Sequence, residues 1–285
     1  MSTADDVAAT AGVPAGQHDA VRYEDTGSGI AVLTLNRPER LNTWGGDIAG
    51  AFYSSLAHAE DDPAIRVVVV TGSGKAFCAG AQLGSMATVG ESLGNTEQRD
   101  LSQLVGERQP HSLTTLRKPV IGAINGSCVG IGLTLALMCD VRFAAAGAKF
   151  AASFARRGLI AEYGVSWILP RLAGWGVALD LLLSGRTFLA EEAAELGLVK
   201  EVVAPDQLLP CVMDYAEDIA RNCSPASMAV IKRQAYGDAT RGVEEATALA
   251  ETLLQESLLR PDVIEGITSF LEKRAPNFPG LSASE

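Results

Sequence analysis

Two glycine-rich turns and one carboxylate carry the residues of this 285-residue chain that could do chemistry. The first turn, Asn125-Gly126-Ser127-Cys128-Val129-Gly130-Ile131-Gly132-Leu133-Thr134, follows the apolar stretch 120–124 and runs into a helical pattern ending near Asp140. The second, Gly72-Ser73-Gly74-Lys75-Ala76-Phe77-Cys78-Ala79-Gly80-Ala81, follows the stretch 66–71. Where a buried strand gives way to a helix, glycine lets the backbone approach a ligand. The N–H groups of the first helical turn are then free to meet negative charge. Two such turns converging on one ligand atom would make an oxyanion or phosphate site. The carboxylate is Glu162, in Gly158-Leu159-Ile160-Ala161-Glu162-Tyr163-Gly164-Val165-Ser166-Trp167, between apolar residues at the mouth of a helix. There it either steadies the helix dipole by roughly a few tenths of a kcal/mol or acts as a general base. Apolar neighbours would raise its proton affinity toward neutrality, so that it could both take and return a proton.

Other chemistries fail on spacing. A phosphate-binding P-loop needs a glycine five residues before the Gly-Lys pair and a Ser or Thr after it, but at Gly74-Lys75 those places hold Val69 and Ala76. The glycines Gly126, Gly130 and Gly132 do not match the dinucleotide spacing. Gly126-Ser127-Cys128-Val129-Gly130 fits a nucleophile elbow with cysteine as nucleophile. In that fold the histidine base follows the nucleophile, whereas His18, His58 and His111 all precede it. A buried structural cysteine is the expectation. None of the three histidines has a second ligand at helical or strand spacing, so no metal site is expected.

The elements that must position these groups read as α/β. Residues 21–24 and 30–35 flank Thr26-Gly27-Ser28-Gly29 as a hairpin. Residues 47–60 carry apolar side chains at helical spacing, and Val67–Val70 is an unbroken β-branched run, expected of a parallel strand covered on both faces. Residues 82–109 have no firm period and read as a ligand-covering segment. Short strands are expected at 141–145 and 149–151, helices at 164–172, 175–184 and 190–196, and a strand at 199–203. Beyond Pro205 the pattern is helical over 206–222, 224–236, 243–259 and 262–274, with breaks at Pro225, Gly242 and Pro261. No strict internal repeat is visible.

Composition narrows the partners. The chain is 47% apolar, with 34 acidic against 23 basic residues and a formal net charge of -11, which argues against a nucleic-acid surface, leaves room for a local basic pocket and makes a small-molecule-directed protein the default. Five cysteines without metal-like pairing read as reduced thiols of a cytoplasmic protein. No apolar run reaches the ~18 residues of a bilayer span, and residues 1–20 lack a signal-peptide pattern and read as a disordered extension.

Five motifs now stand in one order: Leu35-Asn36-Arg37-Pro38-Glu39-Arg40-Leu41-Asn42, Ala76-Phe77-Cys78-Ala79-Gly80-Ala81, Ala123-Ile124-Asn125-Gly126, Ser184-Gly185-Arg186 and Phe270-Leu271-Glu272-Lys273-Arg274. In this the sequence resembles the crotonase, or enoyl-CoA hydratase/isomerase, superfamily over residues 21–278. The resemblance implies an α/β fold with a crotonase-like ββα superhelix core over 21–204. It also implies a helical region over 205–285 that covers CoA and joins subunits into a homotrimer or hexamer. The implied substrate is an acyl-CoA thioester, with no cofactor beyond the CoA it carries, no metal, no nucleic acid and no membrane.

Matched residue by residue, the backbone N–H groups of Ala81 and Ile131 form the family's oxyanion hole for the thioester carbonyl. Hydratases place two glutamates where this chain has Thr134 and Phe154. Glu162 falls instead where Δ3,Δ2-enoyl-CoA isomerases keep their single catalytic glutamate. The expected reaction is therefore a double-bond shift in an enoyl-CoA. CoA and acyl contacts are expected from Glu39, Arg40, Leu41, Ala79, Gly80, Gln82, Leu83, Gly130, Thr134 and Phe154, and from Lys273 of a neighbouring subunit near the CoA phosphates. Gln82 replaces the Asp usual after the Ala-Gly-Ala run. Two alternatives stay open: a hydratase in which Glu97 or Glu107 supplies a second carboxylate, and a weakly active acyl-CoA-binding homologue.

Overall fold

The computed structural model of the chain describes residues 17–82 and 109–281. Thr26-Gly27-Ser28-Gly29 closes a hairpin, pairing β2 (Val21–Asp25) antiparallel with β3 (Ile30–Leu35), and β1 (Gln17–His18) adds at the edge. Residues 17–20, expected to belong to the disordered extension, are part of the fold: Gln17 pairs with Arg22, and Ala20 is buried. After α1 (Gly46–Asp61) the chain alternates between two sheets. β4 (Val67–Gly72) passes into β5 (Ala76–Cys78), β6 (Val120–Ile124) into β7 (Ser127–Val129), and β8 (Val141–Ala145) into β9 (Lys149–Ala151). Helix α2 (Ile131–Leu137) follows the second pair and α3 (Val165–Ser184) the third. This is the ββα superhelix, a structural repeat with no repeat in the sequence behind it.

Strand β10 (Thr187–Leu189), helix α4 (Ala190–Glu195) and strand β11 (Glu201–Val203) complete the sheets. One has seven strands in the order β1-β2-β3-β4-β6-β8-β11, parallel from β3 onward; the other has four, β10-β9-β7-β5. The β-branched run shows why the larger sheet is covered twice. Side chains alternate along a strand, so Val68 and Val70 enter the main core with Phe52, Phe77 and Leu133, while Val67 and Val69 enter a second core. A fully buried valine contributes roughly 1.5–3 kcal/mol, and a slip of one residue would exchange every such pair between cores.

The second core is closed by α5 (Leu208–Asn222), whose Leu208, Val212, Ala216 and Ala220 repeat at helical spacing. The helical region expected from residue 205 thus opens with a helix that packs on the sheet. The helices beyond it are α6 (Pro225–Asp238), α7 (Val243–Leu258) and α8 (Pro261–Glu272). A buried polar network holds α6 to the core. Lys232 Nζ donates to Asp140 Oδ2 at 2.6 Å and to the Lys118 carbonyl at 3.1 Å, and the Tyr236 hydroxyl donates to Asp140 Oδ1 at 2.9 Å. Helix α3 bends at Gly174 (φ 77°, ψ 162°), where a break between two helices was expected. It is the one described helix long and apolar enough to cross a bilayer, yet Val165, Ile168, Leu169, Ala178 and Leu181 are buried in the core.

Candidate active site

Strands β5 and β7 are parallel neighbours, with Cys78 opposite Cys128. Ala81 and Ile131, each three residues beyond its cysteine, lie past the ends of the paired strands, and both line one cavity. The approach is close: a Cβ built on Gly80 would sit 3.4 Å from the Val129 carbonyl, and one built on Gly130 would sit 3.9 Å from Gly80 Cα. On its other side the Ala79–Gln82 turn pairs with Trp44, whose N–H donates to the Gly80 carbonyl at 2.7 Å and whose carbonyl accepts from the Gln82 N–H at 2.9 Å. A parallel bridge of this kind turns the Ala81 N–H away from Trp44. Ile131 opens α2, so its N–H lies in the turn that has no partner within the helix. Among the described residues neither N–H finds an acceptor. Two free backbone donors at one cavity can stabilise an oxyanion.

The turns are held rigid by side chains the sequence motifs contain. Asn125 accepts from the Gly72 N–H at 3.1 Å and donates to the Gly74 carbonyl at 3.1 Å. Asn42, buried at φ 53°, donates to the carbonyls of Ser73 (2.9 Å) and Ala76 (2.8 Å) and accepts from the Arg37 N–H at 2.7 Å. The α2 side is fixed by close packing: a Cβ on Gly132 would lie 2.1 Å from the Cys78 carbonyl, so only glycine lets the helix sit against β5.

The cavity at these turns is lined by Ala79, Gly80, Ala81, Val129, Gly130 and Ile131 from the two turns. Ser153, Phe154, Arg157, Leu159 and Glu162 line it from the segment after β9. Glu162 is its one acidic lining residue among those described. Left-handed backbone at Tyr163 (φ 56°) and Gly164 (φ 80°) ends the loop, and the Glu162 carbonyl accepts from the Val165 N–H at 3.1 Å, joining the loop to α3. The Glu162 side chain is half-buried and meets no hydrogen-bond or ion-pair partner among the described residues. Burial therefore pushes its carboxyl above the ordinary carboxylate range. The adjacent Tyr163 hydroxyl is pushed up to about 12, first by burial and then by the charge of Glu162.

Other expected residues fall at different distances from this cavity. Leu41, left-handed at φ 56°, accepts from the Ala79 N–H at 3.1 Å, so the Glu39–Leu41 turn abuts the Ala79–Gln82 turn. Arg40 ion-pairs with Asp47, a surface contact too weak to bar it from a phosphate. Gln82 follows Ala81, while Leu83, Glu97 and Glu107 lie outside the described residues. Thr134 is fully buried, with its hydroxyl 3.4 Å from the Gly130 carbonyl, and does not line the cavity; helical spacing carries it one turn past the donors into the core. Lys273 caps α8, exposed, away from the cavity of its own chain. Cys128 is buried, its thiol pushed well above the ordinary range by burial and donating to the Gly132 carbonyl at 3.3 Å, so it is a structural residue. Sequence reasoning missed Ser153 and Arg157, which belong to no motif and reach the cavity only because Phe154–Gly158 turns there. A larger cavity, about 570 Å³, lies between Leu116, Trp167, Val230 and Tyr236, but it contains neither donor turn nor a lining carboxylate among the described residues.

Known proteins are similar to this chain along most of its length. A family model described as enoyl-CoA hydratase/isomerase matches residues 25–281. The chain is 36% identical to 1,2-epoxyphenylacetyl-CoA isomerase of Escherichia coli, across 88% of this chain and 95% of that protein. It is 35% identical to crotonyl-CoA hydratase of Syntrophomonas wolfei, across 87% and 94%. Among solved structures, an enoyl-CoA hydratase from Mycobacterium marinum is 65% identical, with a TM-score of 0.66 over 78% of this chain and all of that one. An enoyl-CoA hydratase from Bacillus anthracis is 29% identical, with a TM-score of 0.82 over 92% of this chain and all of that one.

Proposed function

The chain belongs to the enoyl-CoA hydratase/isomerase family of the crotonase superfamily, and from that premise we propose that it shifts the double bond of a 3-enoyl-CoA to the 2-position with Glu162 as proton shuttle. The observation that carries this reading is Glu162, the one acidic lining residue among those described, in the cavity at the two donor turns. The Glu162 carboxylate takes a proton from C2, and the electron pair moves into the thioester carbonyl and the adjacent double bond. The N–H groups of Ala81 and Ile131 stabilise the dienolate oxygen, and two such donors lower the barrier by several kcal/mol. The Glu162 carboxyl then returns the proton at C4, leaving a conjugated 2-enoyl-CoA. Water is neither added nor released. CoA enters as part of the substrate, along Glu39–Leu41 and Ala79–Gln82.

Relatives of nearly equal identity carry hydratase and isomerase names, so the chain's own site must favour one. Phe154 argues for isomerisation: it is an apolar wall of the cavity and cannot position a water molecule. Supplying 3-enoyl-CoA and 2-enoyl-CoA separately tests the choice. Double-bond migration that is lost in Glu162→Gln supports the shuttle. Fast hydration of 2-enoyl-CoA without migration makes the chain a hydratase. CoA-dependent thermal stabilisation with no turnover of either makes it a binding protein.

The assembly proposed is a homotrimer or a dimer of trimers. Its support is the exposed apolar face of α8, where Ile264, Ile267 and Leu271 recur at helical spacing beside Phe270.

A further inference from the structure

The cavity at Glu162 holds a second ionisable side chain for which a double-bond shift has no use. Arg157, exposed to solvent, closes the 3₁₀ turn Ala155–Arg157 and lines the mouth of the cavity beside Ser153, Leu159 and Glu162. Its Nη1 leans back to the Ser153 carbonyl at 3.4 Å, which keeps the guanidinium against the wall that Ser153 forms. No carboxylate among the described residues pairs with it, although acidic residues outnumber basic ones 34 to 23 in the chain. The neighbouring Arg156 shows the contrast, since its Nε donates to the Ser184 carbonyl at 2.7 Å, away from the cavity. Ser153 is 9% exposed, and its hydroxyl has no partner among the described residues. A guanidinium with no carboxylate partner among the described residues, engaged only through Nη1, and a hydroxyl beside it on one wall are groups that recognise a carboxylate.

We infer that this site takes acyl-CoA thioesters whose chain ends in a second carboxylate, held by Arg157 and Ser153. Phe154 and Leu159 line the same cavity and would cover the intervening methylene groups. Anchoring both ends of the chain fixes C2 and C4 against one carboxylate, which is the geometry a single proton shuttle needs. The reaction part of this inference rests on the isomerase reading; the binding part does not.

The test compares hex-3-enedioyl-CoA with hex-3-enoyl-CoA in the wild type, Arg157→Leu and Arg157→Lys. Losing one charge-assisted contact changes affinity roughly 10- to 100-fold. The wild-type kcat/KM for the diacid is expected to exceed that for the monoacid by about that factor. Arg157→Leu should bring the ratio near one, and Arg157→Lys should restore part of it. A wild-type ratio near one, or a variant in which both values fall together, would overturn the inference, the second because it marks Arg157 as structural. Binding of the saturated thioesters adipoyl-CoA and hexanoyl-CoA, read as thermal stabilisation, separates this from the reaction. If neither enoyl thioester is turned over while adipoyl-CoA still binds more tightly through Arg157, the isomerase reading fails and the carboxylate site stands. Equal binding of the two overturns the carboxylate site whatever the activity.

Discussion

Glu162 is placed where its charge is disfavoured, and that sets the chemistry it can do. A carboxylate with free solvent on all sides would hold protons too weakly to return one; half-burial raises its proton affinity. Because the folded-state pKa lies above the unfolded one, the stability this group contributes is complete below the ordinary carboxylate range and is lost as pH rises through the folded value. Glu162→Gln carries no charge at any pH and avoids that loss. Its melting temperature should exceed the wild type's near neutral pH, with the difference closing in mildly acidic buffer; an equal or lower value at neutral pH would show that Glu162 is not desolvated. The isomerisation rate should rise with pH along an acid limb whose midpoint lies above the ~4.3 of an unperturbed glutamate, since the base must be ionised. Glu162 was legible in the sequence because apolar residues flank it on both sides. Ser153 and Arg157 were not, because nothing in Ser153-Phe154-Ala155-Arg156-Arg157 says which way a short 3₁₀ turn will face.

Among the elements, the paired ends of β5 and β7 decide whether the two N–H donors meet. Their convergence depends on strand register and on α2 lying flush against β5, which Gly132 permits. Gly132→Ala would drive a Cβ into the Cys78 carbonyl and push the first turn of α2, with the Ile131 donor, out of line. The expected cost is about 1–3 kcal/mol of stability and, from one misplaced oxyanion donor, roughly 100-fold in kcat. Gly176→Ala, in α3 with open space around its Cβ, serves as the control and should leave the melting temperature unchanged or slightly higher. An unchanged kcat in Gly132→Ala would remove the Ile131 N–H from the mechanism. The glycine spacing pointed to these turns, but β5 and β7 themselves are three residues each, too short for a periodic pattern, and the turn at 125–134 read as one strand-to-helix step. The roles of Asn42 and Asn125 were hidden for a related reason: their partners, 31 to 53 residues away, exist only after the sheets stack.

At the scale of the whole molecule, long apolar strands and helices were readable because each satisfies a local period, and Val120–Ile124 and Val141–Ala145 fall where expected. The two-sheet superhelix was not readable from period, since it depends on which short strand crosses to which sheet; the family motifs supplied it. The exposed apolar residues of α8 carry the assembly prediction. Light scattering should give a mass that is a multiple of three chains, and Ile267→Asp with Leu271→Asp should lower it toward one chain; a monomeric wild type would contradict the proposed assembly. Within that assembly the chemistry reduces to one question, whether water enters the product. The most direct measurement incubates the wild-type enzyme with 3-enoyl-CoA and, separately, with 2-enoyl-CoA in ¹⁸O-labelled water and follows product mass and conjugation. The expected result is conversion of 3-enoyl-CoA to a conjugated thioester of unchanged mass, with no label taken up. Rapid uptake of labelled water by 2-enoyl-CoA, with no migration from the 3-position, would contradict the single-carboxylate shuttle at Glu162.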